Sequence, residues 1–133
     1  MFIGLGNKET DHIFFELQQE YYLSSVDRVK CYTSIISFKI GGFQGNVEAI
    51  IGINDLNVLL KNLHDKVSET IFFYDAVNEV FELKLYEDKL GHIKISGKIC
   101  DKPGSDNILN FSFLIDQIQL ENAIDDISKI IRV

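Results

Sequence analysis

The chain has 133 residues, 13 Lys and Arg against 20 Asp and Glu, a formal net charge of -7 and 46% hydrophobic residues. That length suits one domain, residues 1–133, which buries roughly two thirds of the surface its unfolded chain exposes and needs no disulfide or metal to fold. Nine Gly, one Pro and 25% charged residues exclude a disordered tail or a collagen-like chain, and the shortage of cations argues against a nucleic-acid binder.

The dominant period is two. Ile13, Phe15 and Leu17 alternate with His12, Glu16 and Gln18 in a first strand. A second strand is predicted over 29–40 and a third over 43–51, with Gly41-Gly42 between them read as a type I′ hairpin. The period then changes. Leu56, Leu59, Leu60, Leu63 and Val67 form one stripe of a helix, with Asn54 as its expected N-cap and an Ile53–Val58 staple.

Four more strands are predicted, over 70–74, 79–86, 92–99 and 109–115. Glu87-Asp88-Lys89-Leu90-Gly91 reads as a hairpin loop, and Pro103-Gly104 as a type II turn. A last helix starts after Asp116. Asp116 and Gln119 make a capping box, Ile115 and Leu120 a staple, and Leu120, Ala123, Ile124, Ile127 and Ile131 the stripe. The expected fold is α+β: an antiparallel sheet of about six to seven strands with two helices packed on one face. Phe81, Leu83, Ile93, Ile95, Phe111 and Phe113 should lie beneath Leu56, Leu60, Leu63, Leu120, Ile124 and Ile127. Phe14, Ile35, Ile50, Val80, Tyr86 and Leu114 should point the other way, toward a closing curl of the sheet or a homodimer interface.

Motifs for chemistry are missing. His12, His64 and His92 have no metal-site spacing, and Gly4-Leu5-Gly6 lacks the third glycine of a dinucleotide loop. No Gly-x-Ser-x-Gly elbow or calcium loop is present. The reading is therefore a non-enzyme with no catalytic, cofactor or metal residues. The start of the sequence has no signal-peptide pattern, no run approaches membrane-spanning length, and Cys31 and Cys100 read as two core thiols. A cytoplasmic protein without membrane or nucleic-acid partners is expected.

Charge is uneven. Through Lys66 there are six basic and eight acidic residues, a net of -2; beyond it seven and twelve, a net of -5. Glu121 and Asp125 are like-charge neighbours on the last helix. The acidic balance reads either as a solubility and helix-dipole device or as a surface for a basic partner, for which Glu87, Asp88, Glu121 and Asp125 are the candidate binding residues.

The run Glu82-Leu83-Lys84-Leu85, then Gly91-His92-Ile93-Lys94-Ile95-Ser96-Gly97, then Leu109-Asn110-Phe111-Ser112-Phe113-Leu114-Ile115-Asp116-Gln117 and Leu120, resembles the WapI-type immunity proteins. The Asp55-Leu56 helix and the strand containing Phe43 also look like that family's first half, and the likeness runs from about Val29 onward. The family's Trp near the start of the second strand is absent, and Tyr32 stands there. The resemblance implies a small cytoplasmic protein that binds a cognate polymorphic toxin and blocks it, with no cofactor and no turnover. It transfers no catalytic residue.

Overall fold

The computed structural model describes residues 1–23, 29–65 and 70–132. Its elements run β1 (Phe2–Gly6), β2 (His12–Tyr22), β3 (Lys30–Ile40), β4 (Phe43–Gly52), α1 (Ile53–His64), β5 (Ile71–Tyr74), β6 (Phe81–Glu87), β7 (Ile93–Cys100), β8 (Ile108–Ile115) and α2 (Gln117–Ile131). The strands form two four-stranded antiparallel sheets, β1-β2-β3-β4 and β5-β6-β7-β8, each in sequence order. The α+β class and the antiparallel pairing agree with the sequence. The count does not: eight strands in two sheets replace one sheet of six or seven.

The reason lies in what period two reports. Alternation marks which side of a strand is buried, and says nothing of what covers it. Here the buried sides of the two sheets cover each other. Phe15 of β2 meets Phe73 of β5 at 5.7 Å and Phe81 of β6 at 5.3 Å between ring centroids. One apolar cluster joins Ile3, Ile13, Phe15 and Ile36 of the first sheet to Leu83, Ile95 and Phe113 of the second. The helices do not share a sheet face. They pack on each other, α2 against β1 and α1 against β3, β4 and β5, and their buried Leu56, Leu59, Leu63, Ala123, Ile127 and Ile130 enter the same core. Phe111, Leu60, Leu120 and Ile124 are only half-buried, and Ile130 takes the deep place expected of Ile131. Of the supposed opposite face, Val80 is buried, Leu114 exposed, and Phe14, Ile35, Ile50 and Tyr86 half-buried.

Local signals fared unevenly. The capping box forms as read: Gln119 N–H donates to Asp116 Oδ1 at 2.7 Å, and Asp116 N–H to Gln119 Oε1 at 3.0 Å. Asn54 is not a cap. The N-cap lies two residues earlier, at Gly52, which has no side chain to bond with and whose missing Cβ leaves room for the Asp55 carboxylate. Val58 is 57% exposed, so it buries no staple with Ile53. Val67 lies outside the described residues. The Gly41-Gly42 hairpin is present, with Ile40 opposite Phe43, but only Gly41 has a positive φ, 59°. That is the type II′ pattern, not type I′.

Asp75, at the end of β5, joins the sheets. It is fully buried, and its carboxylate accepts from Ile50 N–H at 3.1 Å, Val77 N–H at 2.9 Å and Asn78 N–H at 2.8 Å. A buried carboxylate is tolerated when backbone donors surround it. Strand β1, which the alternation did not reveal, is tied to α2 where Gly4 N–H donates to Asp126 Oδ2 at 3.0 Å.

Candidate functional site

The four carboxylates singled out from the sequence do not form one cluster. Glu87 ends β6 and is exposed; Asp88 begins the turn to β7; Glu121 and Asp125 are exposed on α2. Asp88 holds the turn itself. Its Oδ1 accepts from Leu90 N–H at 2.8 Å and His92 N–H at 2.9 Å, and its Oδ2 lies 3.6 Å from His92 Nδ1. Partial desolvation opposes its charge, but the His92 and Leu90 amides and the His92 ring outweigh it and hold the carboxyl below its usual range.

Glu87 and Glu121, 34 positions apart in sequence, line the same groove of about 630 Å³. It runs between the β6–β7 turn, the end of α1, β5 and the first half of α2. Its walls are apolar: Leu63, Ile71, Leu85, Ile93, Leu120 and Ile124. Leu90 stands at its rim, 81% exposed. Gln117 fixes the two sides, since its Nε2 donates to Gly91 O at 3.1 Å and to Glu87 Oε1 at 3.3 Å, joining the first turn of α2 to the β6–β7 turn. Among the described residues, the only charged ones in the lining are those two carboxylates. Asp88 and Asp125 flank the groove in sequence and do not line it.

Sequence reasoning named Glu87 and Glu121 but missed Leu90 and Gln117. Leu90 left a trace, an apolar residue inside a turn otherwise built of polar ones. Gln117 left none, because its bond spans 26 positions.

A second cavity, of about 510 Å³, lies beside β5 and β6 and is lined by Tyr74, Asp75, Glu79, Glu82 and Lys98 among others. Two of its three carboxylates have local employment: Asp75 serves three amides, and Glu82 lies 3.8 Å from Lys98. Burial pushes the Asp55 carboxyl up, helped by the negative charge of Asp75, and burial pushes the Cys31 thiol up in turn, with Asp55 and Asp75 adding to it. A thiol pKa raised in this way describes an unreactive core cysteine. Among the described residues, no three His, Cys, Asp or Glu side chains are grouped to hold a metal ion. Among them too, no helix is long and apolar enough to cross a membrane.

What the groove can do is therefore bind by shape, apolar contact and charge. Comparison with known proteins adds the family. No match was found among curated proteins. The model of the immunity protein WapI-like family matches residues 36–133, from the middle of β3 through both helices and the whole β5–β8 sheet. That stretch covers most of the chain and contains the groove. The chain belongs to the immunity protein WapI-like family.

Proposed function

We propose that this chain neutralises a cognate polymorphic toxin in the cytoplasm by direct protein–protein binding, without catalysis or cofactor. The observation that carries the reading is the family match over 36–133. In support of it, the matched region holds a groove in which the charged lining, among the described residues, is acidic. Glu87, Asp88, Glu121 and Asp125 lie on or beside that groove, and they are the residues proposed to meet a basic partner. Exposed carboxylates of one sign attract a cationic surface over roughly a Debye length and speed encounter. Neutralisation then requires only that the bound chain covers or distorts the toxin's working surface.

The test is co-production with the toxic domain encoded beside this chain. The reading expects that domain to stop growth alone, to be tolerated with this chain present, and to elute with it as a stable complex. Unrelieved toxicity together with separate elution would refute it.

A further inference from the structure

We infer that the groove between the β6–β7 turn and α2 receives a projecting segment of the toxin in which an aliphatic or aromatic side chain sits next to a Lys or Arg. The inference rests on the toxin-binding reading and says where and by what chemistry the partner is held.

Three observations select this occupant. First, Leu90 is 81% exposed on a turn that is otherwise firmly held, with two amides bound to Asp88 and the Gly91 carbonyl bound to Gln117. A large apolar side chain presented on a rigid support loses little entropy on being covered, which is the property of an interface anchor. Second, Leu120 and Ile124, each half-buried, continue the apolar surface inward, so a side chain entering past Leu90 finds hydrocarbon on the α2 side. Third, Glu87 and Glu121 are the only charged groups in the lining among the described residues. A purely apolar guest would partly desolvate these carboxylates without offering a cation, and the neutral Gln117 amide bonded to Glu87 does not balance a charge, so covering them costs energy. A guest with a cation beside its apolar group satisfies them, and Arg or Lys can lay its stem on the Leu and Ile walls while its head reaches a carboxylate. An acidic or phosphorylated segment would meet repulsion instead.

The volume, about 630 Å³, suits a few side chains and not a whole helix face. The groove is accordingly the anchoring pocket of a wider contact. Other exposed apolar residues, such as Ile118 at 70%, lie outside it and provide controls.

The experiment measures affinity between the full chain and the purified toxin domain encoded beside it, for wild type, Leu90→Ser, Glu121→Lys, the double variant and Ile118→Ser. All three altered residues are exposed, so thermal melting confirms folding for each variant. Leu90→Ser and Glu121→Lys should each weaken binding at least tenfold and together at least fiftyfold, and the loss from Glu121→Lys should shrink at high salt. Ile118→Ser should stay within twofold of wild type. Wild-type affinity in the double variant would overturn the groove and leave the toxin-binding reading standing. Failure of the wild type to bind the toxin domain would overturn both. Self-association of the free chain that Leu90→Ser abolishes, with toxin binding unchanged, would assign the groove to a second copy and also overturn the inference.

Discussion

Two surfaces of this molecule expose apolar side chains, and they differ in whether those side chains are already partnered. On the outer face of the β5–β8 sheet, Phe72 lies opposite Lys84, and the Lys84 ammonium stands 6.0 Å from the ring. Tyr86 lies opposite Lys94, with the ammonium at 5.9 Å, and Glu82 faces Lys98 across the same strands. Cross-strand pairs of this kind are the ordinary means by which a solvated sheet face stabilises itself. The groove beside α2 is built differently. Leu90 faces open space there, Leu120 and Ile124 are half-buried, and among the described residues the charges of its lining are of one sign. A self-satisfied face can stay in water; the groove gains by being covered. Exposed hydrophobic groups alone therefore do not identify an interface, whereas unpartnered groups held on a fixed frame do.

The comparison breaks most severely at the core that supports both surfaces. Phe81 is buried between the sheets with Phe15 and Phe73, so Phe81→Ala should cost about 3 to 5 kcal/mol in chemical denaturation. Phe111, half-buried on β8, should cost roughly 1 to 2 kcal/mol when cut to Ala. Equal losses at the two positions would mean that the facing sheets are not packed as described.

Asp75 comes next. Asp75→Ala strips one buried acceptor group from three amides and should cost about 3 kcal/mol. Since Asp75 does not line the groove, the folded fraction should bind the toxin domain with unchanged affinity, which calorimetry under stabilising conditions can check.

A third change sharpens the contrast directly. Reversing Glu121 and Asp125 to Lys should slow association by roughly tenfold at low salt and leave stability within about 0.5 kcal/mol, while added salt slows the wild type toward the same rate. Reversing Lys84, Lys94 and Lys98 to Glu should not slow it. Rates indifferent to salt and to both sets of changes would make the acidic surface a solubility device.

The smallest effect concerns Asp55. Its folded pKa is raised, so the protonated form is favoured in the fold; that contribution is fully present below the unfolded value and is lost as pH rises through the folded one. Asp55→Asn should therefore gain a little stability at pH 7, and the gain should fade below about pH 4, near the ordinary carboxylate range. A difference that stays constant across this range in pH-dependent unfolding would contradict the burial-driven shift.

Much of this was legible in the amino-acid order, for identifiable reasons. The α2 start could be read because a capping box is a contact over three residues, and β7 because Ile93, Ile95 and Ile99 alternate without competition. Strand β1 was invisible, since Gly4 and Gly6 interrupt the pattern around Ile3 and Leu5 and its support comes from Asp126 on the last helix. The split into two sheets was also hidden, because Phe15 looks the same to a sequence whether a helix or Phe81 covers it. The resemblance to the immunity family was carried by β6 to α2, and the family match covers that region. The groove needed Gln117 to bring a turn and a helix together, and the bond from Ile50 to Asp75 that joins the two sheets spans 25 positions.

The most direct test of the central contrast is a titration of the isotope-labelled chain with the toxin domain encoded beside it, followed residue by residue by NMR. The account predicts the largest shifts at Leu90, Gly91, Gln117 and Glu121, with Phe72, Lys84 and Lys98 nearly unmoved. Large shifts across the outer face of β5–β8, with the turn and α2 silent, would contradict it.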